Sequence, residues 1–299
     1  MNFIKLSDNS KLYNNKAESV IPQLDDNSID LVITSPPYNV DLGNNKYNNS
    51  PYDLYNDNKD HKDYIRWLKD IFEKLYLKLV SGGRTVTNIG DGQNGRCPTH
   101  SDIIQFMTRE LDYIPMANII WQKSQIGNRF SWGSFNSPSC PSFPKPFEYI
   151  MIFAKKNIKL QKKGETDLHP VEFQKWAFSI WNMTAETKMK KIGHPAAFPV
   201  SLPYRLIKML SWTNATVLDP FNGSGTTGVA CRKLGRKYIG IEISKKYCDI
   251  TKKRINELRI DEEDIFLEEM KKLEKKKEKR PSEELDIFLR EQKQSKNSQ

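Results

Sequence analysis

Two short stretches of this 299-residue chain carry residue types that could do chemistry together. The first is Thr34-Ser35-Pro36-Pro37-Tyr38, directly behind the mostly apolar residues 29–33. Consecutive prolines fix φ and remove two N–H donors, so the segment offers a hydroxyl, rigid carbonyl acceptors and an aromatic ring. Such an edge suits a substrate group that donates hydrogen bonds, for example an exocyclic NH2 held on a flat ring. The same segment is also an ordinary way to end a strand, so its meaning depends on what the chain supplies for it to act with.

The second stretch is Asp219-Pro220-Phe221-Asn222-Gly223-Ser224-Gly225-Thr226-Thr227-Gly228, entered from apolar residues 215–218 and followed by a helical pattern over 229–234. Strand, glycine-rich turn and helix N-terminus together allow close backbone approach to a polar or anionic ligand group. Gly223-x-Gly225-x-x-Gly228, with Glu242 ending the next strand, also fits the dinucleotide fingerprint. A nicotinamide-dependent dehydrogenase therefore competes from this segment alone. No Lys follows the last glycine, which excludes a Walker A loop, and Ser224 lacks the G-x-S-x-G spacing of a nucleophile elbow. Asp219 favours another ligand. An acid ahead of the first glycine repels a pyrophosphate but suits the ammonium of S-adenosylmethionine, with Glu242 left for the ribose hydroxyls and Phe221 for apolar parts.

Positioning both stretches requires strands that end on one edge. The pattern predicts a strand over 11–14, helical turns over 17–24, a turn at Asp25-Asp26-Asn27-Ser28 and a strand over 29–34. Tyr64, Trp67, Leu68, Ile71, Phe72, Leu75 and Leu79 recur at three- and four-residue steps, predicting an amphipathic helix that Ser81-Gly82-Gly83 ends. Further strands are expected over 84–90, 117–122 and 148–154, and helices over 101–111 and 200–211. This alternation predicts an α/β fold with a mainly parallel sheet covered on both faces. Residues 39–60, rich in Asn, Asp and Tyr, lack periodicity and read as a surface loop or as a lid over the site. Residues 123–146 read as an irregular arm and 155–193 as a small inserted lobe. The Glu/Lys-dense stretch from 261 reads as an exposed helix, broken at Pro281, with a frayed end.

Lys and Arg outnumber Asp and Glu by 47 to 37, a net charge of +10. The pI near 9.2 and mean hydropathy of −0.67 describe a polar, basic surface. An anionic partner is favoured, nucleic acid first, although solubility alone makes many proteins basic. Cys97, Cys140, Cys231 and Cys248 show no C-x-x-C spacing, and Cys97 with His100 is half of a zinc site without a second half. Reduced thiols, no metal and a cytoplasmic location are the expectation. No run reaches transmembrane length, so no membrane partner is expected.

Taken together, these residues resemble the amino-group DNA methyltransferases that accompany or imitate restriction systems. The likeness runs to about Glu257. Residues 34–38 are similar to that family's catalytic motif and 219–228 to its cofactor motif. His194-Pro195-Ala196-Ala197-Phe198-Pro199 resembles the motif that closes one side of the cofactor pocket. Ile120-Trp121-Gln122-Lys123, Trp132-Gly133-Ser134-Phe135 and Glu148-Tyr149-Ile150 also have counterparts there. Catalytic motif first and cofactor motif late is the order of the family's beta group. The resemblance thus implies a Rossmann-like S-adenosylmethionine-dependent methyltransferase fold, circularly permuted in motif order, with a small target-recognition insertion. In that scheme 1–154 is the catalytic half, 155–193 the target-recognition region, 194–260 the cofactor half and 261–299 a charged tail. One departure stands out: Asn15-Lys16 replaces the Gly-Asp whose acid helps hold the cofactor's adenine in many relatives.

By the same resemblance Ser35, Pro36, Pro37 and Tyr38 form the catalytic edge. The Ser35 hydroxyl and Pro36 carbonyl accept the two amine hydrogens, and Tyr38 stacks on the base. Ser35 is not read as a covalent nucleophile, because no partner His is placed by motif, and His194 is read as structural. Asp219, Phe221, Gly223, Gly225, Thr226, Thr227, Glu242 and Pro199 are expected around the cofactor. Lys123, Arg129, Trp176 and Trp181 are expected at the DNA. The target base must leave the duplex to reach such a pocket, with basic loops on the phosphates. Ser at the first motif position is commoner among cytosine-N4 enzymes, so N4 of cytosine is the expected target and N6 of adenine the alternative. Double-stranded DNA is the expected partner, with a cognate restriction endonuclease and a homodimer as further partners the resemblance raises. The rival readings are a dehydrogenase, a non-catalytic DNA-binding module, and a methyltransferase acting on RNA or on a protein glutamine amide.

Overall fold

The computed structural model describes residues 3–7, 9–39, 59–92, 97–123, 133–143, 145–185 and 198–258. Its centre is β3 (Ile29–Thr34), which buries every residue except the half-buried Asp30. A strand covered on both faces reads as a mostly apolar run, and this one does, with Asp30 the one partly exposed position. Val32 joins a cluster with Leu68, Ile71, Phe72 and Leu75 of an 18-residue helix (His61–Lys78) and with Val20 and Phe106. Leu31 and Ile33, equally buried, alternate to the other face of the sheet. Each such side chain contributes about 1.5–3 kcal/mol by leaving water.

In chain order the strands are β1 (Ile4–Ser7), β2 (Ser10–Asn14), β3, β4 (Leu79–Ile89), β5 (Tyr113–Lys123), β6 (Phe147–Lys155), β7 (Ile180–Met183), β8 (Thr216–Asp219) and β9 (Lys237–Glu242). The helices are α1 (Ala17–Val20), α2 (His61–Lys78), α3 (Thr99–Arg109), α4 (Pro170–Trp176), α5 (Ser201–Leu210), α6 (Thr226–Lys233) and α7 (Lys245–Asn256). All nine described strands form one sheet, ordered β1-β2-β9-β8-β3-β4-β6-β5-β7. The run from β2 to β4 is parallel throughout, whereas β6 lies antiparallel between β4 and β5. From β3 the chain moves to β4 on one side, and from β8 to β9 on the other. The seam between β3 and β8 is therefore the point where strand order reverses, the place where open α/β sheets bind ligands. Both stretches singled out by sequence end at that seam.

Three expectations change. Ser81-Gly82-Gly83 does not end α2, which stops at Lys78 where Leu79 turns extended; the glycines lie within β4. Gly82 has φ +77°, and a Cβ there would sit 2.2 Å from the Lys159 carbonyl oxygen, so the pair accommodates a bulge and a close backbone approach. Residues 155–193 do not build a lobe of their own among the described residues. They supply α4 and then β7, which pairs in parallel with β5 as the edge strand of the main sheet. The third concerns length: β5 runs from Tyr113, four residues before the expected start at Ala117.

The lid expectation falls on residues 40–58, outside the described ones, as does the charged tail. Asn39 and Lys59, on either side of that segment, are joined: the Asn39 amide donates to the Lys59 carbonyl and accepts from its N–H, both at 2.8 Å. Asn39 and Lys59 thus lie side by side. No described helix is long and apolar enough to cross a membrane.

Candidate active site

Ser35 and Tyr38 follow the last buried residue of β3, and Tyr64 on α2 donates to the Pro37 carbonyl at 2.6 Å. That bond uses one of the acceptors the prolines expose and fixes the segment against the helix. Ser35 Oγ lies 3.0 Å from the Tyr38 hydroxyl. Tyr38 in turn donates to Glu148 Oε2 at 2.7 Å, and Asn88 Nδ2 donates to both, at 2.9 and 2.7 Å. Lys123 Nζ holds the other oxygen of Glu148. The edge is backed by Gly90, where a Cβ would lie 3.5 Å from the Tyr38 ring and from the Glu148 side chain.

The glycine loop is built as a cradle. Gly225 has φ +78° and precedes α6, and a Cβ there would sit 2.6 Å from the Thr251 side chain of α7. Arg254 Nη1, also on α7, donates to the Ser224 carbonyl and hydroxyl and to the Thr226 hydroxyl. Asn222 donates to the Gly223 carbonyl at 2.8 Å and to the Thr251 hydroxyl at 2.9 Å. Phe221 packs on Trp67 of α2, ring centroids 5.4 Å apart, and the Trp67 indole N–H donates to Glu18.

Two carboxylates close the cradle. Asp219, 2 % exposed, accepts from the hydroxyls of Thr34 (3.0 Å) and Thr227 (2.7 Å) and from the Phe221 N–H (3.1 Å). Burial raises its pKa to about 6, against the opposing pull of those donors. Glu242 accepts from the Gly223 N–H at 2.7 Å and the Ser244 N–H at 2.8 Å. Burial, with the Asp219 charge adding, raises it to about 7. An amino-acid-bearing nucleoside fits this donor set. Such a ligand would present its ammonium toward Asp219, its ribose hydroxyls toward Glu242 and the N–H groups that open α6, and its apolar surface toward Phe221.

The structure brings Ser35, Pro36, Pro37 and Tyr38 together with Asp219, Phe221, Gly223, Gly225 and Glu242 at one seam. Thr226 and Thr227 are there too, but their hydroxyls serve the loop itself, through Arg254 and Asp219. Pro199 is half-buried and lies two residues ahead of α5, its carbonyl accepting from Leu202 N–H at 3.0 Å. Lys16 caps α1 through its backbone, while Asn14 ties to the Glu242 and Ile243 carbonyls. Cys97 and His100 take different partners: Cys97 Sγ is 3.1 Å from His61 Nδ1, and His100 pairs with Asp91.

The expected DNA contacts divide differently. Trp176 and Trp181 are each 3 % exposed, so their rings are not surface available to DNA. The Trp181 indole donates to the Trp176 carbonyl at 3.0 Å, and the Arg205 guanidinium lies 5.6 Å from each ring centroid. They pack β7 and α4 onto α5. Lys123 is committed to Glu148, and Arg129 lies outside the described residues. Asn88 and Arg254 carry no local sequence signal, because each acts on a residue far away in sequence, and what Thr34 bonds to is hidden for the same reason.

Comparison with known proteins gives the same reading. A family described as DNA methylase matches residues 29–253, three quarters of the chain. The type II methyltransferase M.MjaI of Methanocaldococcus jannaschii is 31% identical over 265 residues, covering 78% of this chain and 87% of its own. M.BglII of Bacillus subtilis, also a type II methyltransferase, is 29% identical over 257 residues, covering 81% and 67%. Among solved structures, TTHA0409 of Thermus thermophilus in complex with S-adenosyl-L-methionine aligns with TM-score 0.62 at 25% identity, over 82% of this chain and 95% of that one. The PvuII cytosine-N4-specific DNA methyltransferase shares the fold, with TM-score 0.66 at 20% identity over 87% and 93%. The Asp219–Gly228 loop thus stands beside the Ser35–Tyr38 edge in a chain that belongs to the DNA methylase family of S-adenosylmethionine-dependent amino-group methyltransferases.

Proposed function

We propose that this protein methylates the exocyclic N4 of a cytosine flipped out of duplex DNA, at one short sequence, as the modification half of a restriction system. A cognate endonuclease and a second copy of the chain are its protein partners in this reading, and the cytoplasm its place of action. The observation that carries it is the Thr34–Asp219 bond, which sets the Ser35–Tyr38 edge against the glycine cradle. S-adenosylmethionine supplies an electrophilic methyl when bound. What the chain must do is hold the amine, whose lone pair is delocalised into the ring, so that the pair turns toward that methyl, a task of positioning. Ser35 Oγ and the Pro36 carbonyl accept its two hydrogens, and Tyr38 covers the ring.

For the DNA, exposed aromatic rings on the arm replace the buried tryptophans as candidates: Phe135 and Phe143 are 77 and 76 % exposed. Ser35 supports cytosine over adenine. The test is transfer of labelled methyl from S-adenosylmethionine to duplex DNA, followed by mass analysis of the digested nucleosides. N4-methylcytosine is the expected product. N6-methyladenine would move the target to adenine, and label on RNA or protein alone would overturn the DNA reading.

A further inference from the structure

Behind the catalytic edge a row of hydrogen bonds has its direction fixed at one end. Glu148, its side chain 10% exposed, accepts as a carboxylate from Lys123 on Oε1 and from Asn88 and Tyr38 on Oε2. Asn88 is oriented by the same carboxylate, since turning its amide would set its carbonyl against Oε2; Asn88 Oδ1 is left buried without a partner among the described residues. Tyr38 has one proton, and it goes to Glu148. The Tyr38 oxygen therefore accepts from Asn88 and from Ser35. Ser35, having directed its hydrogen at Tyr38, presents only lone pairs to a substrate amine.

We propose that Glu148 is a positioning residue that keeps Ser35 an acceptor and takes the proton released by methyl transfer. This rests on the amino-methyltransferase reading of the site. Once the new N–C bond has formed, the substrate nitrogen is cationic and carries two hydrogens, one too many. That N–H breaks as its proton bonds to Ser35 Oγ. The Ser35 proton passes to the Tyr38 oxygen, and the Tyr38 proton passes to Glu148 Oε2. The net result is a neutral methylated amine and a neutral Glu148 acid, which returns its proton to water. No other co-reactant is needed. The positive charge that arrives on the nitrogen is thereby removed without a base touching the substrate.

The test uses the full chain, S-adenosylmethionine and duplex DNA. Transfer by the unaltered protein checks the methyltransferase reading itself, and only then are Glu148→Gln, Tyr38→Phe and their combination compared. Each single variant is expected to lower kcat about a hundredfold or more, with KM for both substrates within about threefold. The double variant is expected to be no worse than the poorer single one, because both cut the same row. Near-normal kcat in Tyr38→Phe, or losses that multiply, would overturn the proposal. Should Glu148→Gln fail to bind S-adenosylmethionine, Tyr38→Phe decides alone, since it removes one oxygen and keeps the ring.

Discussion

Thr34 and Asp219, 185 positions apart, share a hydrogen bond of 3.0 Å across the seam between β3 and β8. The ladder there pairs only Leu31 with Val217 and Val32 with Leu218, so this side-chain bond extends a short contact. Thr34→Val keeps the shape and removes the donor, leaving a buried carboxylate short of a partner. We expect a loss of about 1–3 kcal/mol in stability, read from the urea unfolding midpoint. An unchanged midpoint would mean that Thr227 and the Phe221 N–H suffice.

Asp219 and Glu242 give the site a pH dependence with an unusual sign. Burial raises them from their ordinary 3.8 and 4.5 to about 6 and about 7. The folded chain then holds these protons more tightly than the unfolded one, so stability falls as pH rises through 3.8–6 and 4.5–7, and the whole cost is present above about 7. A bound ammonium favours the ionised form of Asp219, so affinity for S-adenosylmethionine rises over the same window and binding releases protons. Calorimetry in two buffers of different ionisation enthalpy counts them; no release would separate the ammonium from Asp219.

Gly225→Ala forces a left-handed residue against Thr251, 2.6 Å from its side chain. The backbone alone costs about 1–2 kcal/mol, before the contact is relieved. A lower melting temperature and at least tenfold weaker cofactor binding are the expected readings.

Ser35→Ala removes the acceptor without touching the cradle. The single-turnover rate is expected to drop about a hundredfold, on the scale of losing one preorganised polar contact at a reacting centre. Equilibrium binding of S-adenosylmethionine should stay as it was. Equal losses in both would make Ser35 part of the cofactor site.

Trp181→Ala separates packing from DNA contact. Removing a side chain that is 3 % exposed should cost about 3–5 kcal/mol of stability. The folded protein should bind DNA with unchanged salt dependence; a shallower salt slope or weaker binding at full folding would return this residue to the DNA.

Local signals carried the two motifs and most elements: Ser35-Pro36-Pro37-Tyr38 and the run from Asp219 to Gly228 are each contiguous, and α2 declares its face at helical spacing. What was illegible is what depends on register. Glu148 meets Tyr38, 110 positions earlier, only because β6 lies antiparallel beside β4, which sets Asn88 opposite Ile150 and Ile89 opposite Tyr149. Gly82-Gly83 looks the same in sequence as a helix stop; the register shift between β3 and β4 there shows a bulge instead. Trp176 and Trp181, in a stretch of mixed polar and apolar residues, resemble nucleic-acid contacts until their burial beside Arg205 is seen.

The seam also sets a clock. Tyr38 leaves the ribosome long before Glu242, and at about 5–20 residues per second the interval is about 10–40 s. Throughout it the Ser35–Tyr38 segment has been made while the strands that carry Asp219 and Glu242 are not yet complete. A newly made chain thus lacks a complete site until β8 and β9 take their places between β2 and β3.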